Sequence, residues 1–307
     1  MKRIGYLFEK VYDLENCRNA ILEASENKRR RRNVKRIMKR IDYYAEKLSE
    51  MIKSETWECS PYTVRYINDG IRQKRRKLAK PRFWPDQCIH HAFDRVVGPL
   101  LAKSQYYYCT GCVKGKGIKL SKRGLELFIK RHPEWAKWVD KMDIHHCYDS
   151  VDHASLKAVL AEKIKDESIL RAYGKIIDSY PRLATDPEAT GPENPEVGIP
   201  IGIDPSRWLI NMFLSKIDHA IKRFLGHRYF STRYADDMVL IGPSKRMLRK
   251  AQAIIESMLS GIKLKLKKNW QVFKLRDRAI DFLGYKFYRD HVEIRKSILL
   301  HILRKIR

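Results

Sequence analysis

Two adjacent carboxylates, Asp236 and Asp237, constrain this chain more than any other feature. They lie in Phe230-Ser231-Thr232-Arg233-Tyr234-Ala235-Asp236-Asp237-Met238-Val239-Leu240-Ile241. Short, β-prone apolar flanks predict a hairpin with the acids at its turn. Folding alone does not require two like charges side by side there. Such a pair repels itself and raises the pKa of one member unless a cation neutralises it. Asp-Asp is also an ordinary turn dipeptide, so a plain structural reading stands beside the functional one. The functional reading is a metal site acting on phosphates, because oxygen ligands that leave room for water and a substrate phosphate suit Mg²⁺.

A second acidic segment favours the functional reading. In Lys141-Met142-Asp143-Ile144-His145-His146-Cys147-Tyr148-Asp149-Ser150-Val151-Asp152-His153, residues Val139 to Ile144 predict a strand running into Asp143. A turn and a helix from about Asp152 follow. An acid at a strand end beside a hairpin carrying two more gives three converging carboxylates, the minimum for a two-metal phosphoryl-transfer site.

Between these segments lies Val197-Gly198-Ile199-Pro200-Ile201-Gly202-Ile203-Asp204-Pro205-Ser206-Arg207-Trp208, a Gly-containing turn opening a helix. Downstream stand Leu264-Lys265-Leu266-Lys267-Lys268-Asn269-Trp270-Gln271-Val272-Phe273 and Phe282-Leu283-Gly284-Tyr285-Lys286-Phe287. Upstream stand Arg75-Arg76-Lys77-Leu78-Ala79 and Phe83-Trp84-Pro85-Asp86-Gln87. In their order along the chain these seven segments resemble the fingers and palm motifs of bacterial retroelement reverse transcriptases, over about residues 60 to 300. Within that family the chain looks most like the enzymes of diversity-generating retroelements, which are related to those of group II introns. It keeps their aliphatic residue, Gly and Ser at Ile201, Gly202 and Ser206, whereas Arg207 stands where a Gln is expected. Group II intron-like, retron and phage-defence reverse transcriptases stay open as alternatives, as does a non-catalytic, maturase-like RNA-binding protein.

The resemblance implies an α+β right-hand polymerase with fingers and palm, the palm an antiparallel ferredoxin-like sheet backed by helices, and a thumb that is short or truncated. The implied division is N-terminal helices and fingers over 1–93, first palm part over 94–152, a helical insertion over 153–190, second palm part over 191–290 and the start of a thumb over 291–307. The implied activity is RNA-directed DNA polymerisation. Asp143, Asp236, Asp237 and the Ile144 carbonyl would hold two Mg²⁺ ions, with Mn²⁺ as an alternative, and Lys268 would protonate the leaving pyrophosphate. Arg76, Tyr148, Gly202, Ser206 and Arg207 would form the nucleotide pocket, Tyr148 as a steric gate against a 2′-hydroxyl. Implied partners are an RNA template, a nucleic-acid primer, deoxynucleoside triphosphates and a basic accessory protein.

Charge points the same way. The 307 residues carry 64 Lys and Arg against 36 Asp and Glu, a formal charge of +28. A polyanionic partner is the simplest use of such a charge, and a basic structural RNA-binding protein is the plain alternative. Lys28, Arg29, Arg30, Arg31, Arg32, Lys35 and Arg36 form a dense run, read as a nucleic-acid grip rather than a merely solvated face. Lys114 and Lys116 sit in a Gly-rich basic loop suited to a backbone phosphate. No apolar run reaches membrane-spanning length and no signal peptide is visible, so a cytoplasmic chain without membrane contact is expected. Six scattered cysteines are expected as reduced thiols. Cys109 and Cys112 have zinc-knuckle spacing but no matching second pair.

The apolar spacing predicts helices over 2–26, from the basic run to about 51, and over 86–101, 121–131, 153–165, 167–179, 206–225 and 245–259. Strands are predicted over 62–68 and 77–80 in the fingers. Over about 135–275 the order strand–helix–strand–strand–helix–strand predicts the palm sheet.

Overall fold

Capping residues and apolar spacing set the helices in a computed structural model describing residues 3–69, 74–113, 115–180, 184–185 and 194–306. Lys114 lies outside the described residues. The helix expected over 2–26 is split into α1 (Phe8–Tyr12) and α2 (Leu14–Ser25). The Asp13 carboxylate accepts the Asn16 N–H at 3.0 Å and caps α2, which ends α1 at the same residue. The basic run likewise gives two helices, α3 (Arg32–Met38) and α4 (Ile41–Lys53), broken where Arg40 leaves the helical region.

Strands β1 (Tyr62–Asp69) and β2 (Lys74–Lys80) follow, then α5 (Cys88–Lys103), α6 (Gly117–Arg131) and β3 (Trp138–Asp143). Helices α7 (His153–Ala161) and α8 (Glu167–Asp178) are capped by Asp152 and Asp166. Next come β4 (Ala184–Thr185), α9 (Asp204–Leu225), β5 (Phe230–Tyr234) and β6 (Asp237–Gly242). Helix α10 (Lys245–Gly261) is capped by Ser244 and leads to β7 (Gln271–Lys274). The chain continues through β8 (Ile280–Phe282), β9 (Tyr285–Phe287), β10 (Val292–Ile294) and α11 (Lys296–Ile306).

These elements gather into two units, one of residues Met1–Ile67, Arg76–Ser104 and Tyr148–Phe213, the other of Asn68–Arg75, Gln105–Cys147 and Leu214–Arg307. In the first, α1, α2, α4 and α5 pack together around fully buried Val11, Ile21, Leu48 and Ile89. Tyr173 of α8 sets its ring edge-on to Phe93 and donates its hydroxyl to Asp94 at 3.2 Å. β1 pairs with β4 in parallel, Tyr62 opposite Ala184.

The second unit is built on a four-stranded antiparallel sheet in the order β5-β6-β3-β7. This is the ferredoxin-like order expected from the strand and helix succession. Side chains alternate across it, so Val139, Lys141 and Asp143 share one face of β3 and pair in register with Ile241, Val239 and Asp237 of β6. At one end of that face Val139, Val239, Ile241 and Phe230 join Leu125 and Phe128 of α6 and Phe282 and Phe287 in the core. At the other end the same face carries acids. α10 packs against β3 and β6, and β8, β9 and β10 form a separate antiparallel sheet. Among the described residues, no helix is long and apolar enough to cross a membrane.

Asp140 is the one charged residue on the opposite face of β3. It is fully buried, and neither carboxylate oxygen has a hydrogen-bond partner among the described residues. Burial lifts its pKa to about 7; Arg249 opposes the shift and Glu256 adds to it. The neutral acid is therefore the form the fold prefers. Its contribution is intact below the ordinary carboxylate value of about 4 and is lost as pH rises toward about 7. Asp140→Asn stays neutral throughout. It should gain stability over the wild type between about pH 4 and about pH 8, by on the order of 4 kcal/mol at full ionisation. Urea unfolding of both proteins across that range tests this, and parallel stability–pH curves would refute it.

Candidate active site

The Asp-Asp hairpin has a two-residue turn. Tyr234 pairs with Asp237 across the β5–β6 ladder, leaving Ala235 and Asp236 as the loop. Ala235 adopts φ +54°, a left-handed conformation that such turns demand and a non-glycine residue takes at a cost. Register then brings the acids together. Asp143, the last residue of β3, is the Cα partner of Asp237, and the next N–H, that of Ile144, donates to the Asp236 carbonyl at 3.2 Å. On the other side of Asp143 runs the segment Lys265–Lys267. The Lys267 N–H donates to the Asp143 carbonyl at 2.8 Å, and Ile144 bridges to Leu266.

Cations already stand against these acids. Lys267 Nζ lies 2.6 Å from Asp143 Oδ1, and Lys141 Nζ lies 3.9 Å from Asp237 Oδ2. Residue alternation about the Leu266 bridge brings Lys267 to Asp143, while Lys268, the lysine singled out from sequence, is exposed. Asp143 Oδ1 is shielded from solvent, so this oxygen faces a cation rather than water. Among the described residues, no three His, Cys, Asp or Glu side chains close into a metal cage of their own. The donors at hand are hard oxygens on adjoining backbone segments. They fit an ion such as Mg²⁺, which keeps waters and substrate phosphates in its shell instead of an all-protein cage.

Two contacts that sequence reading missed hold the hairpin in place. Arg233 is 1% exposed and forks onto Asp218 of α9, Nε to Oδ1 at 2.9 Å and Nη2 to Oδ2 at 2.7 Å. Burial alone would lower the pKa of Arg233, but the Asp218 carboxylate more than reverses this, so the guanidinium stays charged. Its Nη1 donates to the Ala235 carbonyl at 2.8 Å. From the other side, residues 108–110 run along β5. The Arg233 N–H donates to the Tyr108 carbonyl at 3.1 Å, and the Thr110 N–H donates to the Arg233 carbonyl at 3.0 Å. This brings Gly111 against the turn, where a Cβ would lie 2.4 Å from the Ala235 nitrogen. Cys109, of the knuckle-spaced pair, is buried and accepts from Arg233 Nη2 at 3.2 Å.

The predicted nucleotide-pocket residues belong to the other unit. The Tyr148 carbonyl accepts the Ile199 N–H at 2.9 Å, and the Val151 carbonyl accepts the Gly198 N–H at 2.7 Å, so the start of the second palm motif is stitched to the segment carrying Tyr148. Gly202, at φ +112°, brings its backbone close to Ala79, three residues after Arg76. The Ala79 N–H donates to the Ile201 carbonyl at 3.0 Å. Ser206 is buried, and Arg207 ion-pairs with Asp204 at the start of α9. Arg29, Arg30, Arg31, Arg32, Lys35, Arg36 and Arg76 are all exposed. Lys116, in the second unit, is half-buried and rests over the Tyr107 ring at 5.4 Å.

Comparison with known proteins agrees with this geometry. Residues 87–287 match the family described as reverse transcriptase (RNA-dependent DNA polymerase), and the chain belongs to that family. It is 26% identical over 237 residues to the COX1/OXI3 intron 2 protein of Saccharomyces cerevisiae, covering 76% of this chain and 25% of that one. The chain thus spans about a quarter of the length of this curated relative. Among solved structures it is similar to telomerase from Candida albicans in complex with a TWJ fragment of telomeric RNA. That likeness has a TM-score of 0.56 at 14% identity and covers 78% of this chain and 46% of that one. It is also similar to an apo telomerase from Candida tropicalis truncated from its C-terminal domain, with a TM-score of 0.56 at 13% identity over 80% and 58% of the two chains. At these identities the likeness establishes the right-hand polymerase fold.

The approach of Gly111 to the turn yields a stability prediction. Gly111→Ala forces the Ala235 backbone to shift and should cost about 1–3 kcal/mol. Gly261→Ala, where nothing lies within 4 Å, should change stability by less than about 0.5 kcal/mol. Urea midpoints of the two variants compare them, and equal midpoints would remove Gly111 from the support of the turn.

Proposed function

We propose that the chain is a divalent-metal-dependent RNA-directed DNA polymerase that extends a primer on an RNA template with deoxynucleotides. The observation that carries this is the register setting Asp143 opposite Asp237, with Asp236 in the adjoining turn, inside the segment that matches the family. Asp143, Asp236, Asp237 and the Ile144 carbonyl are the donors for Mg²⁺, or Mn²⁺ in its place. When bound, two such ions lower the pKa of a primer 3′-hydroxyl and neutralise charge on the triphosphate and the departing pyrophosphate.

The chain's own residues supply the rest. Lys267 and Lys141 balance the crowded carboxylates. Exposed Lys268 donates a proton to the leaving pyrophosphate. Tyr148 packs under the sugar and rejects a 2′-hydroxyl, while Arg76, Gly202, Ser206 and Arg207 shape the nucleotide and template-base pocket. Arg29 to Arg32, Lys35, Arg36, Lys114 and Lys116 grip nucleic-acid phosphates, as the excess of positive charge favours. A basic accessory protein completes the assembly.

Two retroelement classes have separate support. The aliphatic-Gly-x-x-x-Ser pattern at Ile201, Gly202 and Ser206 favours a diversity-generating retroelement. The likeness to an intron 2 protein favours an intron element, in which an RNA-binding maturase role accompanies or replaces catalysis.

Extension of a DNA primer on an RNA template, with deoxynucleotides and Mg²⁺, tests the activity. Asp236→Ala/Asp237→Ala should reduce it at least about a hundredfold; equal extension by wild type and variant would refute the assignment of these acids. Sequencing the products separates the classes, with errors concentrated at template adenines expected for the diversity-generating type and no such concentration for the intron type. Tyr148→Ala should raise ribonucleotide incorporation relative to deoxynucleotide by about tenfold or more. Unchanged sugar selectivity would show that Tyr148 is not the gate.

A further inference from the structure

Arg233 is the largest fully buried side chain among the described residues, and Asp218 beside it is nearly as buried. Two charges taken out of water are a poor source of stability, since apolar residues of similar volume commonly serve as well. The contacts show what the pair achieves instead. The guanidinium reaches three elements at once. Nε and Nη2 hold the Asp218 carboxylate on α9, Nη2 also meets Cys109 Sγ, and Nη1 holds the carbonyl of Ala235. That carbonyl belongs to the peptide joining Ala235 to Asp236. Asp218 is itself anchored, because Ile217 and Ile221 flank it in the core.

The held peptide has reason to move. Ala235 sits at φ +54°, a conformation strained for an L-residue and kept only where surroundings over-determine it. The next two residues are like-charged carboxylates that repel. A planar fork with several N–H groups can bind a carboxylate and a carbonyl together, whereas a single ammonium cannot match that geometry. We infer that Arg233 and Asp218 are positioning residues, clamping the Ala235–Asp236 peptide so that Asp236 and Asp237 stay gathered about Asp143 as a cation site.

This rests on the polymerase reading only for its kinetic part, so a metal-binding measurement accompanies the kinetics. Arg233→Met/Asp218→Leu removes both charges and fills the space with apolar groups. Arg233→Lys keeps the charge at Asp218 and gives up the second donor to Ala235. Each full-length variant is compared with the wild type in three ways: cooperative urea unfolding, Mn²⁺ binding followed by electron paramagnetic resonance without nucleic acid, and kcat and KM for the deoxynucleotide in primer extension.

The double variant is expected to unfold cooperatively, to need about tenfold more Mn²⁺ for half-saturation and to lose at least about tenfold in kcat with KM little changed. Arg233→Lys should move the same quantities in the same direction by less. A folded double variant with wild-type Mn²⁺ affinity and kcat overturns the inference. If the double variant does not fold, Arg233→Lys with unchanged Mn²⁺ affinity overturns it, and loss of the fold in both variants makes the pair structural and overturns it as well. A wild type that does not extend primers, yet whose Mn²⁺ affinity falls on substitution, sinks the polymerase reading and supports the clamp.

Discussion

Antiparallel register between β3 and β6 is the constraint on which the site depends. A shift of one residue would turn every side chain of β3 to the opposite face. Asp143 would leave Asp237, and Asp140 would take its place beside the apolar core. What prevents the slip lies at the far end of the same strands, where Val139 and Ile241 are fully buried. The core and the acids are coupled because a two-residue period carries one face of β3 from Val139 through Lys141 to Asp143. Apolar packing sets the register, and the register delivers the carboxylates.

Gathering acids in this way creates a charge problem that the second unit resolves locally. Lys267 arrives on the strand-like segment beside β3 and meets Asp143; Lys141, two residues before Asp143 on the same face, approaches Asp237. Both lysines are fixed by backbone pairing rather than by chance side-chain reach, since the Lys267 N–H binds the Asp143 carbonyl. An ammonium 2.6 Å from Asp143 offsets the repulsion among the carboxylates. The acids are thus held close together, with lysines standing where a harder cation can replace them.

How much of this was legible in the sequence follows from the range of each cause. The hairpin, the strand ending at Asp143 and the helix beginning near Asp152 rest on alternation and turn chemistry within a dozen residues, and all three stand in the structure. The ferredoxin-like strand order followed from element order. Breaks were harder to see. Asp13 reads as an ordinary polar residue on an amphipathic helix until its carboxylate is seen to cap α2. Contacts set by tertiary packing left still less trace. Arg233 looks like one more cation in a chain with 64 Lys and Arg, and nothing local ties it to Asp218. Lys267 and Lys268 are equivalent neighbours until the Leu266 bridge assigns one of them to Asp143.

The turn itself shows why such distant contacts matter. A glycine at position 235 would adopt φ +54° without strain, yet it would also leave the Asp236 peptide freer to rotate. Alanine narrows that freedom at a cost in local energy, and the cost is met by contacts from opposite sides, the Arg233 guanidinium on the Ala235 carbonyl and the Gly111 backbone against the Ala235 nitrogen. Glycine is placed where the approach must be close, and a β-carbon where the chain must be stiff. A strained, doubly braced turn stores its ordering in the folded protein, so less has to be ordered when a ligand arrives. For a pair of carboxylates that must converge with a third from a different strand, bracing from the surrounding fold substitutes for the rigidity that a two-residue loop cannot provide by itself.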